Sequence, residues 1–305
     1  MLNIGSLINK FRVSVNRHRF EKALRQIASS PPIHTGPDKF TALSMVHHRD
    51  VESYLLTIKS FCQFFSPQRI VVVTDPTITD EDRHQMATHV RGIQFVHAEK
   101  YRIAEMPQGG CWERLIAISE FVQNDYVIQL DADTVALSDM PEVRKAIEES
   151  MSFVLATEDG QDFSSCTEAA AWAKKRAESG EHIQILAEAG LDSLTDYQTS
   201  RYVRGCAGFS GFAAGCFNLD KLKTFSDTMS QVLGDKWTSW GTEQFTSNFM
   251  VANSPKAMVL PHPKYCHPGR ERPGTVFLHF IGYVRFNTDR YAHAARDVCA
   301  ALGRK

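Results

Sequence analysis

One short apolar segment, followed at once by two aspartates, limits the fold of this 305-residue chain more than any other feature. Residues 127–130 read Val-Ile-Gln-Leu, and Asp131 and Asp133 come directly after them. A run of this kind is typical of a buried strand in a mostly parallel sheet. Ligands bind at the carboxyl ends of the strands in such sheets, and two carboxylates there suit Mg²⁺ or Mn²⁺ bridged to phosphate oxygens.

An Asp-x-Asp triplet also occurs by chance, because aspartate is favoured in turns and at helix N-termini. Residues 138–141, Ser-Asp-Met-Pro, resemble a helix start just beyond the pair. A turn or a helix cap is therefore the simpler alternative. The position of the triplet at the end of an apolar strand is what favours a ligand site.

Predicted strands alternate with segments of helical periodicity along the chain. The strands are expected near residues 40–46, 69–75, 93–96, 127–130, 152–157 and 276–280. This alternation predicts an α/β fold with a mostly parallel central sheet flanked by helices. We predict three parts: a basic amphipathic N-terminal helix at 1–32, a single domain at 33–290 with a helical insertion at about 160–200, and a C-terminal helix or tail at 291–305.

The first thirty residues are basic, with apolar side chains at roughly helical spacing between the charges. Their single acid is Glu21, and their basic side chains are Lys10, Arg12, Arg17, Arg19, Lys22 and Arg25. A basic amphipathic helix can lie on an anionic membrane surface. It can equally pack on the domain with its charges in water, and the sequence leaves both interpretations open.

Composition excludes several classes of protein. The net charge of −1 gives no field that would attract nucleic acid, so we expect no nucleic-acid partner. No apolar run approaches the roughly 18 residues of a membrane-spanning helix. The seven cysteines are scattered without a Cys-x-x-Cys pair, which indicates a reducing compartment. We therefore expect a cytoplasmic protein, with a peripheral position at the inner face of the membrane as an option.

Three segments carry a resemblance to a known family. The first combines residues 112–115, Trp-Glu-Arg-Leu, with the strand and its Asp-x-Asp-x-Val ending at 125–135. Residues 279–285, His-Phe-Ile-Gly-Tyr-Val-Arg, are similar to a His-Phe-x-Gly-x-x-Lys segment, and residues 241–244, Gly-Thr-Glu-Gln, contain an acidic-Gln pair. Together they resemble the GT-A fold glycosyltransferases that use nucleotide sugars, in particular family 8.

The resemblance implies a metal site and a diphosphate site. Asp131, Asp133 and His279 would bind Mn²⁺ or Mg²⁺, and carboxylates with one imidazole suit Mn²⁺ slightly better. Asp131 would also contact the donor. His47, Arg114 and Arg285 would bind the nucleotide and its diphosphate. A lone histidine on an apolar strand is more often a core residue, and the two aspartates are what favour His279 as a ligand.

The resemblance also implies a catalytic group and substrates. Glu243, Gln244 and Asp159 would line the reacting sugar, although Thr242 and Glu243 after Gly241 fit the first turn of a helix equally well. The expected partners are a nucleotide-sugar donor, most simply a UDP-sugar, and a glycan or lipid-linked acceptor. Family 8 implies retention of anomeric configuration. Trp237 and Trp240 are candidates for stacking on an acceptor sugar, or for core positions.

The sequence departs from the family in two places. The Asn-x-Gly that the family carries before its Asn-Leu segment is missing from residues 210–215. This absence leaves the identity of the donor sugar open. Arg285 replaces the usual Lys, and its guanidinium can hold a diphosphate by two parallel hydrogen bonds.

Two other functions compete with a glycosyltransferase. In a haloacid-dehalogenase-type phosphatase, Asp131 would be the nucleophile and Asp133 the acid/base. That motif normally ends the first strand, and the later acidic pair it needs is poorly imitated by Asp192 and Asp196. The non-enzyme alternative is a module that binds a nucleotide sugar without turning it over.

Overall fold

A computed structural model describes residues 4–158, 160–177, 182–282 and 284–303. Helices alternate with strands along much of this part of the chain. The α-helices in this part of the chain are α1 (Ile4–Leu24), α2 (Val51–Phe61), α3 (Asp80–His89), α4 (Trp112–Phe121), α5 (Pro141–Glu148), α6 (Cys166–Ala177), α7 (Ile183–Ala189), α8 (Leu219–Leu233), α9 (Thr242–Ala252) and α10 (Arg290–Leu302).

The strands in the described residues are β1 (Ile33–His34), β2 (Asp38–Val46), β3 (Pro67–Thr74), β4 (Val90–Arg91), β5 (Ile93–His97), β6 (Tyr126–Leu130), β7 (Thr134–Ala136), β8 (Ser152–Ala156), β9 (Ser164–Ser165), β10 (Arg201–Tyr202), β11 (Gly205–Phe212), β12 (Ala257–Leu260), β13 (Tyr265–Cys266) and β14 (Phe277–His279). Six of them (β2, β3, β5, β6, β8 and β14) lie at or close to the predicted positions, and the other strands in the described residues were not predicted from the sequence.

Seven of these strands form the central sheet, in the order β12-β8-β11-β6-β2-β3-β5. All pairings within it are parallel except the two made by β11, which runs antiparallel to β6 and β8. All five residues of β6 are buried, as the sequence of that segment predicts. The predicted α/β fold with a mostly parallel central sheet is therefore confirmed.

A smaller sheet brings the C-terminal part of the chain to the end of β6. It has the order β13-β14-β7, and β14 runs antiparallel to β7. In this register His279 lies opposite Thr134. The backbone N–H of Phe280 also donates to the carbonyl oxygen of Asp133 at 2.8 Å. His279 is thus placed beside the two aspartates by backbone pairing.

Side chains of α2 hold β7 in place from the other side. Thr57 is buried, donates its hydroxyl to the carbonyl oxygen of Thr134 at 2.7 Å and accepts the backbone N–H of Thr134 at 3.2 Å. Ser60, one turn further along, accepts the N–H of Ala136 at 3.1 Å. Two hydroxyls therefore satisfy backbone groups of a short strand that has few other partners.

The later turns of the N-terminal helix α1 pack on the domain, which is one of the two interpretations that its sequence left open. These turns contact α10, where the ring of Phe20 stacks on Tyr291 with centroids 3.7 Å apart. Its first turns extend past this contact, and Leu7 and Phe11 are 52% and 73% exposed. Among the residues described, none of the helices has the length and apolar character needed to cross a bilayer.

The region that we predict as a helical insertion contains α6 and α7, which pack against each other. Beside them, β9 pairs with β10 as a separate two-stranded sheet. Helix α7 also contacts α9, which carries Glu243 and Gln244. The insertion is therefore attached directly to the part of the fold that carries candidate catalytic residues.

We predict that Thr57→Val destabilises the protein by about 1–3 kcal/mol, because valine fills the same space but leaves the buried N–H and C=O of Thr134 with one partner fewer each. Urea denaturation measures this change. Thr224→Val is the matched control, since Thr224 lies exposed on α8 with a hydroxyl bond to its own helix, and it should change stability by less than about 0.5 kcal/mol. Equal effects of the two substitutions would contradict the role assigned to Thr57.

Candidate functional site

Asp131, Asp133 and His279 converge where β6 and β14 end. The imidazole Nε2 of His279 lies 3.2 Å from a carboxylate oxygen of Asp133 and 3.9 Å from one of Asp131. One ligand atom from each of the three residues falls within 4.8 Å of the others. Asp133 and His279 are buried, and Asp131 is half-buried. The structure thus brings together the three side chains that the sequence singles out as metal ligands.

His279 is oriented from behind by Cys206. Its Nδ1 lies 3.2 Å from the Cys206 sulfur, so Nε2 faces the two aspartates. Burial by itself lowers the pKa of His279, but Cys206 and Asp133 raise it, and it ends well above the ordinary 6.5. A proton on Nε2 thus takes the place that a cation would occupy between this ring and the acids.

Gly208 allows the ring of His279 to lie against the sheet. A Cβ at this position would come within 2.2 Å of the imidazole Cε1, a distance that no side chain tolerates. The carbonyl oxygen of Gly208 also accepts the N–H of Asp131 at 2.9 Å. Residues 206–208, Cys-Ala-Gly, therefore contact both the histidine and the aspartate loop.

The glycine that contacts the site lies before residues 210–215, the segment that lacks the Asn-x-Gly. Within that segment, Gly211 packs against the ring of Phe153 in the sheet interior. The glycine that the site requires is Gly208, and the residue two positions before it is Cys206. No apolar run or charge pattern marks this segment, so no local sequence signal identifies Cys206 as a site residue.

The three side chains fit a divalent cation by the chemistry of their atoms. Two carboxylates and one imidazole nitrogen point to one place, and Mn²⁺ and Mg²⁺ accept oxygen ligands, with imidazole suiting the transition metal better. The sulfur contact at Nδ1 leaves Nε2 as the coordinating atom. A contact of this kind behind a ligand histidine fixes both its tautomer and its orientation.

Arg285 neutralises one side of the cluster. Its guanidinium lies 2.5 Å from Asp133 and 3.6 Å from Asp50 at the start of α2. Burial favours the neutral form of Asp133, yet His279 and Arg285 hold the pKa of that carboxyl below its ordinary value. A planar guanidinium beside a candidate cation site is a suitable donor for two oxygens of a diphosphate.

Arg114 neutralises the other side. It is fully buried on α4, forms an ion pair with Asp131, and donates to both oxygens of Glu243 at 3.2 Å. Burial raises the pKa of Glu243 to about 7; Arg114 opposes this rise, and Asp131 adds to it. Glu243 is therefore a carboxyl close to the balance between its charged and neutral forms at neutral pH.

Glu243 and Gln244 lie in the first turn of a helix, which is one of the two interpretations of their segment. Helix α9 begins at Thr242, after Gly241 with a φ of 106°, so the pair does occupy a first helical turn. Glu243 nevertheless points to Arg114, and the amide oxygen of Gln244 accepts the N–H of Ala207 at 3.3 Å. Both side chains thus face the cluster.

The remaining candidates lie around this centre or outside it. His47 follows β2 and lies 3.3 Å from Asp75, which follows β3. Trp237 is buried and donates its indole N–H to Ser226, so the suggestion that it stacks on an acceptor is wrong. Trp240 is 73% exposed. Asp159, which we predict to be catalytic, lies outside the described residues.

We predict that the stability of the protein falls as the pH rises from 4.5 to 7 because of Glu243. Its folded pKa of about 7 exceeds the ordinary 4.5, so its contribution is complete below pH 4.5 and is lost as the pH approaches 7. Glu243→Gln removes this dependence. Relative to the variant, the original chain should lose on the order of 3 kcal/mol over this interval, as measured by urea denaturation.

Glu120→Gln is the control for this titration, because Glu120 is exposed on the same helix as Arg114 and pairs with Lys100. Its stability curve should run parallel to that of the original chain. Parallel curves for Glu243→Gln as well would show that the carboxyl titrates normally.

The chain is similar to several solved protein structures but not to curated protein sequences. No protein-family model and no curated protein sequence matches the chain. The crystal structure of the galactosyltransferase LgtC in complex with donor and acceptor sugar analogues is similar over 86% of this chain and 96% of that chain, with a TM-score of 0.52 and 12% identity.

The apo form of the glycosyltransferase GlyE from Streptococcus pneumoniae TIGR4 is similar over 87% of this chain and 62% of that chain, with a TM-score of 0.51 and 12% identity. Identities this low show a shared fold and do not transfer an activity. The chain therefore has the GT-A fold of nucleotide-sugar glycosyltransferases, as the resemblance of its motifs implies.

Proposed function

We propose that this protein is a metal-dependent glycosyltransferase that moves a sugar from a nucleoside-diphosphate donor to a hydroxyl group of an acceptor. One observation carries the proposal. Asp131, Asp133 and His279 meet at the carboxyl edge of the sheet, with the guanidinium of Arg285 beside them. That combination, in a GT-A fold, suits a cation and a diphosphate lying side by side.

In the reaction, the anomeric carbon gives up its bond to the terminal phosphate oxygen and gains one to the acceptor oxygen. The nucleoside diphosphate leaves with the electron pair of the broken bond, and the acceptor hydroxyl loses its proton. A divalent cation held by Asp131, Asp133 and His279 would supply Lewis-acid stabilisation of the leaving diphosphate. Arg285 would add fixed positive charge at the same place.

The pair of Arg114 and Glu243 would shape the sugar side of the site. Arg114 is locked between Asp131 and Glu243, so its charge stays fixed near the bond that breaks. Glu243 and Gln244 would line the anomeric carbon, and Asp159 would complete the set. Retention of configuration and UDP as the nucleotide rest on the family resemblance, and His47 would contact the nucleotide.

The alternative of a phosphatase lacks support from the acidic pair that it needs. Asp192 forms an ion pair with Lys174 within the region of α6 and α7. The charged partner of Asp131 is instead Arg114. A binding module without turnover remains the second candidate, because it would use the same cation and nucleotide contacts.

We predict that the protein releases nucleoside diphosphate from at least one nucleotide sugar, and only when Mn²⁺ or Mg²⁺ is present. The measurement is a panel of UDP-, GDP-, dTDP- and ADP-sugars, with product quantified in the presence of each metal or of EDTA. Asp131→Asn and Asp133→Asn should each lower the rate by about 100-fold or more, because each removes a charged ligand.

Asp139→Asn is the matched control, since Asp139 is exposed and pairs with Arg144 beyond the site. It should keep the full rate. Undiminished rates in EDTA would refute the metal requirement. Thermal stabilisation by UDP and Mn²⁺ without any product would indicate the binding module; a ligand at about 100 times its dissociation constant adds roughly 2.7 kcal/mol.

We also propose that the first turns of α1 contact an anionic membrane, which would suit a lipid-linked acceptor. Leu7 and Phe11 are exposed on these turns, next to the cations of Lys10 and Arg12. Apolar side chains that enter the interface and basic ones that meet anionic lipid are the two requirements for such contact.

We expect the protein to cosediment with phosphatidylglycerol vesicles and not with phosphatidylcholine vesicles, and to be released by salt. Phe11→Ser should weaken this binding severalfold. Val232→Ser, at an exposed apolar residue on α8, should leave it unchanged. Equal partition onto both kinds of vesicle, or equal binding by both variants, would contradict the proposal.

A further inference from the structure

A row of three cavities leads away from His279 along one face of the molecule. The first, of about 210 Å³, is lined by His279, Cys206, Glu158 and His262. The second, of about 420 Å³, shares the walls of Glu158 and His262 and adds Gln161. The third, of about 390 Å³, shares Gln161 with the second. Neighbouring cavities share wall residues and so lie side by side; we call the row the track and its third member the distal cavity.

The lining of the distal cavity combines aromatic rings with charged groups. The rings come from Phe163, Trp172 and Tyr202, and the charges include Glu188 and Arg204. A volume near 400 Å³ lies within the usual range for small-molecule sites. Sugars offer apolar C–H groups and hydroxyls that both donate and accept hydrogen bonds, so a lining that mixes charged and aromatic side chains matches a carbohydrate.

The charged pair of the distal cavity is held rigidly. The Nε of Arg204 donates to Glu188 at 3.0 Å, and its second nitrogen donates to the other carboxylate oxygen. The guanidinium also lies 4.4 Å from the ring centroid of Trp172. The Glu188 side chain is almost fully buried. Groups fixed before a ligand arrives lose little entropy when they bind it, which favours recognition.

The distal cavity lies close in space to the three candidate metal ligands, Asp131, Asp133 and His279. Arg204 precedes Cys206 by two residues, and Cys206 contacts His279. Two residues of extended chain span about 7 Å. The separation between the two regions is therefore on the scale of a short oligosaccharide.

A hydrogen-bond chain also connects the two regions. The amide of Gln244 donates to Gln184 on α7 at 3.4 Å, and Gln184 donates to Glu188 at 3.3 Å. Glu188 in turn accepts from Arg204. Hydrogen-bonded side chains therefore connect the wall of the distal cavity to Gln244, which accepts the N–H of Ala207 next to Cys206.

We infer that the distal cavity is a sugar-binding site for the part of the acceptor that precedes the reacting unit. The acceptor would then be an oligosaccharide or a glycan chain, with its reacting end beside His279 and its preceding units along the track to Trp172. The inference rests on the proposed function for the identity of the acceptor, but the binding of sugar to the distal cavity is measurable without any transfer.

The test is ¹⁹F NMR of protein labelled with 5-fluorotryptophan, since the chain has four tryptophans and Trp172→Phe assigns the one in the distal cavity. The probes are glucose, galactose, mannose and N-acetylglucosamine, each with its di-, tri- and tetrasaccharides. We expect at least one oligosaccharide series to shift the Trp172 resonance, with the matching monosaccharide binding at least tenfold more weakly. The proposal is overturned if no oligosaccharide shifts that resonance, or if monosaccharides bind as tightly.

Arg204→Lys should weaken this binding at least tenfold, because lysine keeps the charge and loses the fork to Glu188. Arg144→Lys, on α5 and away from the track, is the matched control and should bind like the original chain. Equal binding by both variants would also overturn the assignment.

A separate titration with UDP and Mn²⁺ reads the donor site through Trp112, whose indole N–H donates to Thr242 at 3.0 Å next to Glu243. A shift of Trp112 with UDP and Mn²⁺, together with no shift of Trp172 by any oligosaccharide, refutes the distal site alone. A shift of Trp172 without nucleotide binding or turnover supports the distal site while refuting the transferase.

Discussion

The antiparallel pairing of β14 with β7 is the interaction on which the candidate site depends. It places His279 opposite Thr134, one residue from Asp133, although these residues are far apart in the chain. The hydroxyls of Thr57 and Ser60 on α2 form hydrogen bonds to the backbone of β7. Backbone hydrogen bonds therefore fix the positions of the three candidate ligands before any cation contributes.

Electrostatic balance is the second constraint on the cluster. Asp131, Asp133 and Glu243 would repel one another in a poorly solvated place, and Arg114 and Arg285 lie between them and offset that repulsion. A buried carboxylate without such partners is costly. The arginines thus serve the folded state as well as the proposed chemistry, which explains why both are held by more than one carboxylate.

Much of this architecture was predictable from sequence, because alternation and apolar runs are local properties. The strand before Asp131, five further strands, and the helices α6 and α7 within the segment at about 160–200 all follow from such local patterns. His279 came from a family resemblance. The contacts of Cys206, Gly208 and Thr57 with the site were not predictable, since they depend on strand register and on a close approach that only coordinates show.

Other aspects of the sequence interpretation remain predictions. They are the division into a terminal helix, a central domain and a tail, and the catalytic roles of Glu243, Gln244 and Asp159. Trp237 shows why composition alone is a weak guide to acceptor sites: an aromatic side chain that could stack on a sugar instead completes the core beneath α8.

The pairing of Arg285 with Asp133 has a consequence for how ligands arrive. A cation that enters must compete with Arg285 for this carboxylate, and a diphosphate offers Arg285 a replacement partner. If both ligands bind as proposed, each would improve the affinity for the other, and the coupling would be reciprocal. The protein without nucleotide would then bind free metal weakly, and the ion and the nucleotide would bind together.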